Sequence, residues 1–207
     1  MFSVSRFKDR IAVIAGADHP LGASLVRRLA GFGATVVALG SDEEAMLELA
    51  REFPGAVEPL VLRRGWREVV RRLQQAWEDE PVHLYIDLFP LGEAQSLSAT
   101  RDLMQKSAAL AAAFATGLRS GEARAVLGFA QGQSGAPNRG TRAAGYAGLV
   151  RHLDKACRPG RFLGLSLDDR TCSWTPDQCL SAGDTLLMLC HPVSRGVMPG
   201  TVVAWRA

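Results

Sequence analysis

The sequence contains few cysteines and no long apolar run, and each scarcity excludes a class of protein. Its four cysteines, at positions 157, 172, 179 and 190, include no C-x-x-C pair, so the spacing does not favour a zinc site. No apolar run approaches the roughly 20 residues of a membrane-spanning helix, and residues 1–8 lack the apolar stretch of a secretory signal. We therefore expect a cytoplasmic protein whose cysteines are free thiols.

The sequence also lacks a large excess of either charge, because 24 basic and 21 acidic residues give a net charge of only +3. The basic residues are nearly all arginines, and the densest cluster is Arg63, Arg64, Arg67, Arg71 and Arg72. Arg67 and Arg71 lie four residues apart, so they share one face of the helix predicted there. A surface for nucleic acid would normally add interleaved aromatics or a recognisable motif, so the cluster favours a solvated helix face and nucleic acid is the less favoured alternative.

A glycine turn follows the apolar segment 11–15, and apolar residues then recur at helical spacing over 21–29. Five apolar residues without alternation predict a strand that is covered on both faces. Gly16 ends this strand. Gly22 lies where the first turn of the helix would pack against the end of the strand. A turn of this kind directs free backbone N–H groups and the positive end of a helix at an anion.

Strand and helix patterns alternate along the rest of the chain. Ser41 and Glu44 have the spacing of a capping box, which predicts that the second helix begins at Ser41. We predict one domain, residues 1–207, with an α/β fold: a Rossmann-type, doubly wound parallel sheet of about seven strands between two helical layers. Further strands are predicted at 35–39, 57–62, 82–89, 125–130, 162–167 and 200–205, and further helices at 66–78, 98–118, 138–157 and 176–189.

This order of elements resembles the short-chain dehydrogenase/reductase family, whose Rossmann-type fold binds a nicotinamide dinucleotide. The similarity covers nearly the whole chain. It is carried by residues 6–10 before the first strand, 31–37 through the second strand, 184–190 in the last helix, and 196–203 in a glycine-bearing loop and the final strand. The resemblance implies that NAD(P) would bind near Gly16, Asp18, Leu21, Gly22 and Ser41.

The turn departs from the family's T-G-x-x-x-G-x-G pattern. Ala15 replaces the threonine and Pro20 replaces the middle glycine. Proline is acceptable at the first position of a helix, but the carboxylate of Asp18 would repel phosphates. Two readings stay open: the turn either holds an anion or is only a tight connection between strand and helix. Ser41 is expected to be the helix cap rather than a ribose ligand.

Residues 87–90 replace the family's N-N-A-G segment, in which small residues leave room for the cofactor. Bulky side chains stand there instead, so we expect the segment to be filled. After the sixth strand, residues 168–176 lack the long lid helices that the family uses to exclude water.

The family's catalytic Y-x-x-x-K motif has no full match. The residue four positions after Tyr146 is Val150, so no lysine follows at that spacing, and without an activating cation a tyrosine keeps a pKa of about 10. Ser134 lies twelve residues before Tyr146, which is compatible with a remnant Ser134–Tyr146 pair. A second alignment places the tyrosine position near Pro137 and the lysine position near Thr141, and Tyr146 is then an ordinary helix residue.

Small residues crowd the predicted helices 98–118 and 138–157. In the family, the corresponding helices pair with their copies in a second subunit. The resemblance therefore implies a homodimer or homotetramer through these two helices, or assembly with an active relative. The alternative is that the helices only pack on their own sheet.

Three functions are compatible with the sequence. The leading hypothesis is a short-chain dehydrogenase-like protein without dehydrogenase chemistry that acts as a dimeric binding or regulatory protein, with weak or no dinucleotide binding. The second is an NAD(P)-dependent oxidoreductase that uses Ser134 and Tyr146. The third is a module that binds anions or nucleic acid through the arginine cluster 63–72.

Overall fold

The fold is given by a computed structural model that describes residues 7–62, 65–77, 80–92, 96–130, 138–167, 174–191, 194 and 196–205. Its strands are β1 (Ile11–Ala15), β2 (Thr35–Gly40), β3 (Val57–Val61), β4 (Leu84–Asp87), β5 (Arg124–Ala130), β6 (Arg161–Leu167) and β7 (Val202–Ala204). Its helices are α1 (Pro20–Gly31), α2 (Glu43–Glu52), α3 (Trp66–Ala76), α4 (Leu97–Ala113), α5 (Ala115–Ser120), α6 (Arg139–Ala156) and α7 (Pro176–Cys190).

The seven strands form one parallel sheet in the order β3-β2-β1-β4-β5-β6-β7. The direction of winding reverses between β1 and β4, which is the switch point of a doubly wound sheet. The predicted α/β class and the seven-stranded parallel sheet are confirmed.

The sheet has a separate apolar core on each face. One core contains Leu25 of α1, Met46 of α2 and Leu186 of α7, and the other contains Leu110 of α4 and Val150 of α6. Helices therefore cover both faces, so a strand such as β1 is apolar along its whole length instead of alternating.

Some element boundaries differ from the prediction. β4 ends at Asp87 rather than at position 89, because the chain leaves the sheet in a single 3-10 turn, Phe89–Leu91. The predicted helix 98–118 is two helices, α4 and α5, which are separated at Phe114.

The predicted cap of α2 is wrong by one residue. Asp42 is the N-cap, because its Oδ1 accepts hydrogen bonds from the backbone N–H groups of Glu44 and Ala45, at 3.0 and 3.3 Å. The side chain of Ser41 is not the capping group, and the Ser41 N–H donates to another carboxylate, that of Asp18.

Three of the four cysteines, Cys157, Cys179 and Cys190, are buried free thiols, and Cys172 lies outside the described residues. The described residues contain no group of three or more His, Cys, Asp or Glu side chains that could hold a metal ion.

None of the helices in the described ranges combines the length and the apolar character that crossing a membrane requires.

Candidate functional site

The carboxyl ends of β1 and β4 are neighbours, so the turn after β1 meets the segment after β4. Gly16 ends the first of these strands with a φ of +79°, a conformation that L side chains rarely adopt. A Cβ at this position would lie 3.0 Å from the carbonyl carbon of Leu88 and 3.1 Å from the nitrogen of Phe89. The two segments are thus in contact through their backbones at the switch point.

The β1–α1 turn directs most of its N–H donors into the protein. Gly16 and Ala17 both donate to the carbonyl oxygen of Leu39, at 2.8 and 2.9 Å, and His19 donates to the carbonyl oxygen of Gly16 at 3.1 Å. Pro20 has no N–H to donate. Few donors of the turn therefore remain for an external anion.

The N-terminus of α1 is capped by His19, a residue that sequence reasoning missed. Its Nδ1 accepts a hydrogen bond from the Leu21 N–H at 3.2 Å, and its ring packs edge-on against Trp174 with the centroids 5.5 Å apart. Burial lowers the pKa of His19, although the Asp18 carboxylate acts in the opposite direction. A neutral imidazole keeps the Nδ1 lone pair that the cap requires. The only signal in the sequence was the position of His19 immediately before a proline at the helix start.

The Asp18 carboxylate links the β1–α1 turn to the connection between β2 and α2, instead of facing an open phosphate site. Its Oδ2 accepts hydrogen bonds from the N–H groups of Ser41 and Asp42, at 2.6 and 3.1 Å. A Cβ at Gly40 would approach the Asp18 carboxyl carbon to 3.0 Å, so the carboxylate is packed closely against the end of β2. The structure thus brings together the predicted residues Asp18 and Ser41, through a contact inside the protein.

Two other predicted residues of the turn, Leu21 and Gly22, also pack inside the protein. Leu21 is fully buried in the core beneath α1. A Cβ at Gly22 would lie 2.1 Å from the carbonyl oxygen of Gly16, which no side chain can tolerate. The tight connection between β1 and α1 therefore requires glycine at both Gly16 and Gly22.

The segment after β4 is filled, as predicted. Leu88 is 1% exposed and Phe89 is 8% exposed. The Leu88 side chain covers Gly128 of β5, where an added Cβ would come 2.7 Å from Leu88 Cδ2. Large buried side chains therefore fill this segment.

A buried acid and a buried base, Asp87 and Lys106, lie beside this segment, and sequence reasoning missed the pair. Asp87 is fully buried, and its Oδ1 accepts a hydrogen bond from the Phe89 N–H at 3.0 Å. The ammonium group of Lys106, from α4, lies 3.4 Å from the centroid of the Phe89 ring, within the range of a cation–π contact.

The pKa values of Asp87 and Lys106 are shifted mainly by burial. Burial raises the pKa of Asp87 to about 6, and the Ser107 hydroxyl, the Phe89 N–H and the Lys106 ammonium only partly oppose it. Ser107 lies near the carboxyl group without the geometry of a hydrogen bond, and Asp87 Oδ2 has no hydrogen-bond partner among the described residues. Burial also lowers the pKa of Lys106, against the influence of Asp87 and Asp18.

The candidate catalytic Tyr146 lies in the interior. It is fully buried on α6 and stacks on Phe129 with the ring centroids 4.9 Å apart. Its hydroxyl makes no hydrogen bond within the described part of the chain. Burial raises the pKa of Tyr146 to about 12, although the guanidinium of Arg142 lowers it.

Arg142 is a cation close to Tyr146, at a position to which the Y-x-x-x-K spacing does not point. Position 150, four residues later, is a fully buried valine, but Arg142 lies four residues earlier on the same helix face. The Y-x-x-x-K spacing points only to a residue that follows the tyrosine. Ser134, Pro137 and the rest of 131–137 lie outside the described residues, so the Ser134–Tyr146 pair stays a prediction.

Much of the arginine cluster on α3 is occupied by contacts within the protein. Arg71 and Arg72 both pair with Glu68, at 2.7 and 2.9 Å. Arg67 lies over the Trp66 ring, 4.7 Å from its centroid. Arg63 and Arg64 lie outside the described residues, so binding of nucleic acid by the whole cluster stays a prediction.

The described residues at this edge do not fit a dinucleotide. The turn donates mainly to the chain itself, a carboxylate holds the N–H groups that follow β2, and bulky side chains fill the segment after β4. These are the regions of a doubly wound sheet that would contact pyrophosphate, ribose and the remainder of the cofactor.

No protein-family profile and no curated protein matches this chain. Among solved structures, a short-chain dehydrogenase from Escherichia coli CFT073 complexed with NADPH superposes with a TM-score of 0.74 at 20% identity, covering 98% of this chain and 99% of its own. The citronellol catabolism dehydrogenase of Pseudomonas aeruginosa PAO1 gives 0.76 at 17% identity, covering 99% and 96%. A short-chain dehydrogenase from Salmonella enterica serovar Typhi CT18 gives 0.70 at 18% identity, covering 99% and 98%. The chain therefore has the fold of the short-chain dehydrogenases over almost its entire length.

Proposed function

We propose that this protein uses a short-chain dehydrogenase fold without hydride-transfer chemistry, as a dimeric binding or regulatory protein. The observation that carries the proposal is the environment of Tyr146. An acid/base tyrosine needs a lowered pKa and access to its substrate. Tyr146 is instead fully buried against Phe129, with a pKa raised to about 12.

The phosphate-binding end of the fold supports the same conclusion. The His19 imidazole caps α1 from within the protein, and the Asp18 carboxylate places negative charge beside the turn. Both features oppose the approach of a polyanionic cofactor, because the first uses a helix N–H donor and the second repels phosphate.

A second candidate is an NAD(P)-dependent oxidoreductase in which Ser134 and Tyr146 act on the substrate. Similarity to a dehydrogenase that was crystallised with NADPH, over nearly the full length of both chains, favours this candidate. It requires Tyr146 to become accessible, and it requires the turn to accept phosphate beside Asp18.

We expect calorimetric titration with NADPH and with NADH to show no saturable binding at millimolar cofactor concentration. A panel of carbonyl and alcohol substrates should show no turnover above that of buffer with either cofactor. Tyr146→Phe is the matched control, because it removes a buried hydroxyl that has no hydrogen-bond partner in the described structure and should therefore fold normally. Turnover that Tyr146→Phe abolishes would establish the oxidoreductase instead.

The proposed dimer uses the outward faces of α4 and α6. The small residues of these helices fall into two groups. Gly145 faces its own chain, since a Cβ there would lie 2.7 Å from Met104 Cε. Ala112 and Ala144 are exposed, and a Cβ at Gly148 would meet nothing within 4 Å. These outward small residues permit close approach of a second pair of helices, either from a second copy or from an active relative.

Placing glutamate at Ala112 and Ala144 together should convert the proposed dimer to a monomer in sedimentation velocity experiments. Burying four carboxylates in a two-fold interface leaves them desolvated and unpaired. Ala156→Glu is the control, because this exposed alanine ends α6 on a different face. A monomeric wild-type protein, or a double variant that sediments as the dimer, would contradict the proposal.

A further inference from the structure

β7 forms one edge of the sheet, and within the described residues no strand pairs with its outer side. The carbonyl oxygen of Thr201 accepts from the Gly164 N–H at 2.8 Å, and the Trp205 N–H donates to the carbonyl oxygen of Ser166 at 2.9 Å. Because the direction of these groups alternates along a parallel strand, Val203 also faces β6, and the backbone groups of Val202 and Ala204 point away from the sheet. The edge thus presents two N–H donors and two carbonyl acceptors.

A groove of about 480 Å³ lies between α6 and residues 199–202, which lead into β7, and Val202 is the residue of β7 that lines it. Three cationic side chains line it: Arg151 and Lys155 of α6, and Arg158 just beyond the end of the helix. All three residues are exposed. The groove therefore places a row of positive charge beside the start of the free strand edge.

Asp154 is the one carboxylate among the residues that line this groove, and it is directed into the protein. It is 5% exposed, and its Oδ1 accepts a hydrogen bond from the Phe162 N–H at 3.1 Å. Its Oδ2 lies 3.9 Å from the Arg158 guanidinium, whose side chain is 72% exposed. The groove is thus lined by three cations and one carboxylate, and that carboxylate is buried and hydrogen-bonded to the Phe162 N–H.

The spacing of the cations suits an extended ligand. Arg151 and Lys155 are separated by about one helical turn, which advances about 5.4 Å along the helix axis. Alternate side chains of an extended strand are about 6.7 Å apart on the same face. Carboxylates at every second position of a strand can therefore meet successive cations of the groove.

The geometry points to a docking site for an extended acidic peptide, which adds as a strand to the free edge of β7 and places alternate carboxylates opposite Arg151, Lys155 and Arg158. Backbone pairing supplies the affinity for a strand, and the charges select its sequence. A second copy of the same edge is a poor occupant, because residues 196–205 contain no Asp or Glu. The site gives the proposed binding role a class of partner.

The test is fluorescence polarisation with a fluorescein-labelled peptide of four Glu-Thr repeats. The triple variant Arg151→Gln, Lys155→Gln, Arg158→Gln should bind it at least about tenfold more weakly than wild type, since three charge contacts are lost. The matched control is Arg51→Gln, Arg101→Gln, Arg119→Gln, which removes the same net charge from exposed positions on α2, α4 and α5. The control should retain wild-type affinity.

Two further probes separate strand addition from general attraction of anions. The same peptide with alternate backbone nitrogens methylated should lose binding, because it cannot pair with the edge. A single-stranded thymidine octamer should bind more weakly than the peptide. Absence of wild-type binding, equal losses in the two triple variants, unchanged binding of the methylated peptide, or tighter binding of the oligonucleotide would each overturn the assignment. Peptide binding does not depend on the cofactor titration, so this site and the proposed loss of dehydrogenase chemistry can fail separately.

Discussion

Replacing Gly22 with alanine should lower the free energy of unfolding by about 3 kcal/mol or more, as overpacking against rigid backbone does. The added Cβ would lie 2.1 Å from the Gly16 carbonyl oxygen and 2.9 Å from Ala17 Cα. Gly16 has little room to shift, because its N–H donates to the Leu39 carbonyl oxygen at 2.8 Å and a Cβ on it would already lie 3.0 Å from the carbonyl carbon of Leu88. Urea denaturation followed by circular dichroism would measure the loss.

Gly31→Ala in the same helix is the matched control for that experiment. A Cβ at this position would meet nothing within 4 Å, so the change should leave stability unchanged or raise it by up to about 1 kcal/mol through helix propensity. Equal effects of the two substitutions would show that the β1–α1 turn is not packed as described.

Asp87→Asn should become more stable relative to wild type by about 2 kcal/mol between pH 4 and pH 7. The folded-state pKa of Asp87 is about 6, against an ordinary value of 3.8, and one pKa unit corresponds to about 1.4 kcal/mol. A raised folded-state pKa means that the contribution of the protonated acid is fully present below pH 3.8 and is lost as the pH rises towards 6. The asparagine variant, which cannot ionise there, should become progressively more stable than wild type over this range.

The comparison between variant and wild type isolates Asp87 from the other titrating groups. Lys106 and Ser107 of α4, Tyr146 of α6 and Tyr85 of β4 lie around it, and both tyrosines have raised pKa values that keep them neutral in this range. His19 and His83 have lowered pKa values, which make wild type and variant alike less stable as the pH falls. Asp102→Asn, at an exposed carboxyl on α4, is the control, and its stability should depend on pH in the same way as that of wild type. Denaturant midpoints measured at half-unit pH steps would check this, and a constant difference between Asp87→Asn and wild type would contradict it.

Local patterns predicted the layers of the fold well, because the hydrophobic pattern of each strand or helix is contained in a short stretch of sequence. Apolar runs without alternation identified β1 and β2, and strands buried on both faces need that composition. Gly16 and Gly22 were predictable as the residues that shape the first turn, since a positive φ and a close backbone approach both favour glycine. The cap of α2 was wrong by one residue, because serine and aspartate are both good N-caps and the Asp42 side chain is the one that accepts the N–H groups of Glu44 and Ala45.

Side-chain partners at the candidate site could not be predicted in the same way. The Y-x-x-x-K spacing points to a cation four residues after Tyr146, whereas Arg142 lies four residues before it. Nothing in the sequence separates Gly145, which packs on Met104, from Gly148, which faces open space. These outcomes depend on how a helix is rotated against its neighbours, and the low contrast between the faces of α6 leaves that rotation undefined in the sequence.

The sequence by itself determined the alternation of strands and helices, the parallel sheet and the two glycines of its first turn, because hydrophobic periodicity and backbone freedom are local properties. Only the tertiary structure decided that Asp18 and His19 bind their own chain, that Asp87 and Lys106 are buried together, and that Arg151, Lys155 and Arg158 line a groove beside a free strand edge. These contacts join residues from different elements, and burial changes the pKa values of several of them. Both effects arise only when the sheet and its helical layers have assembled.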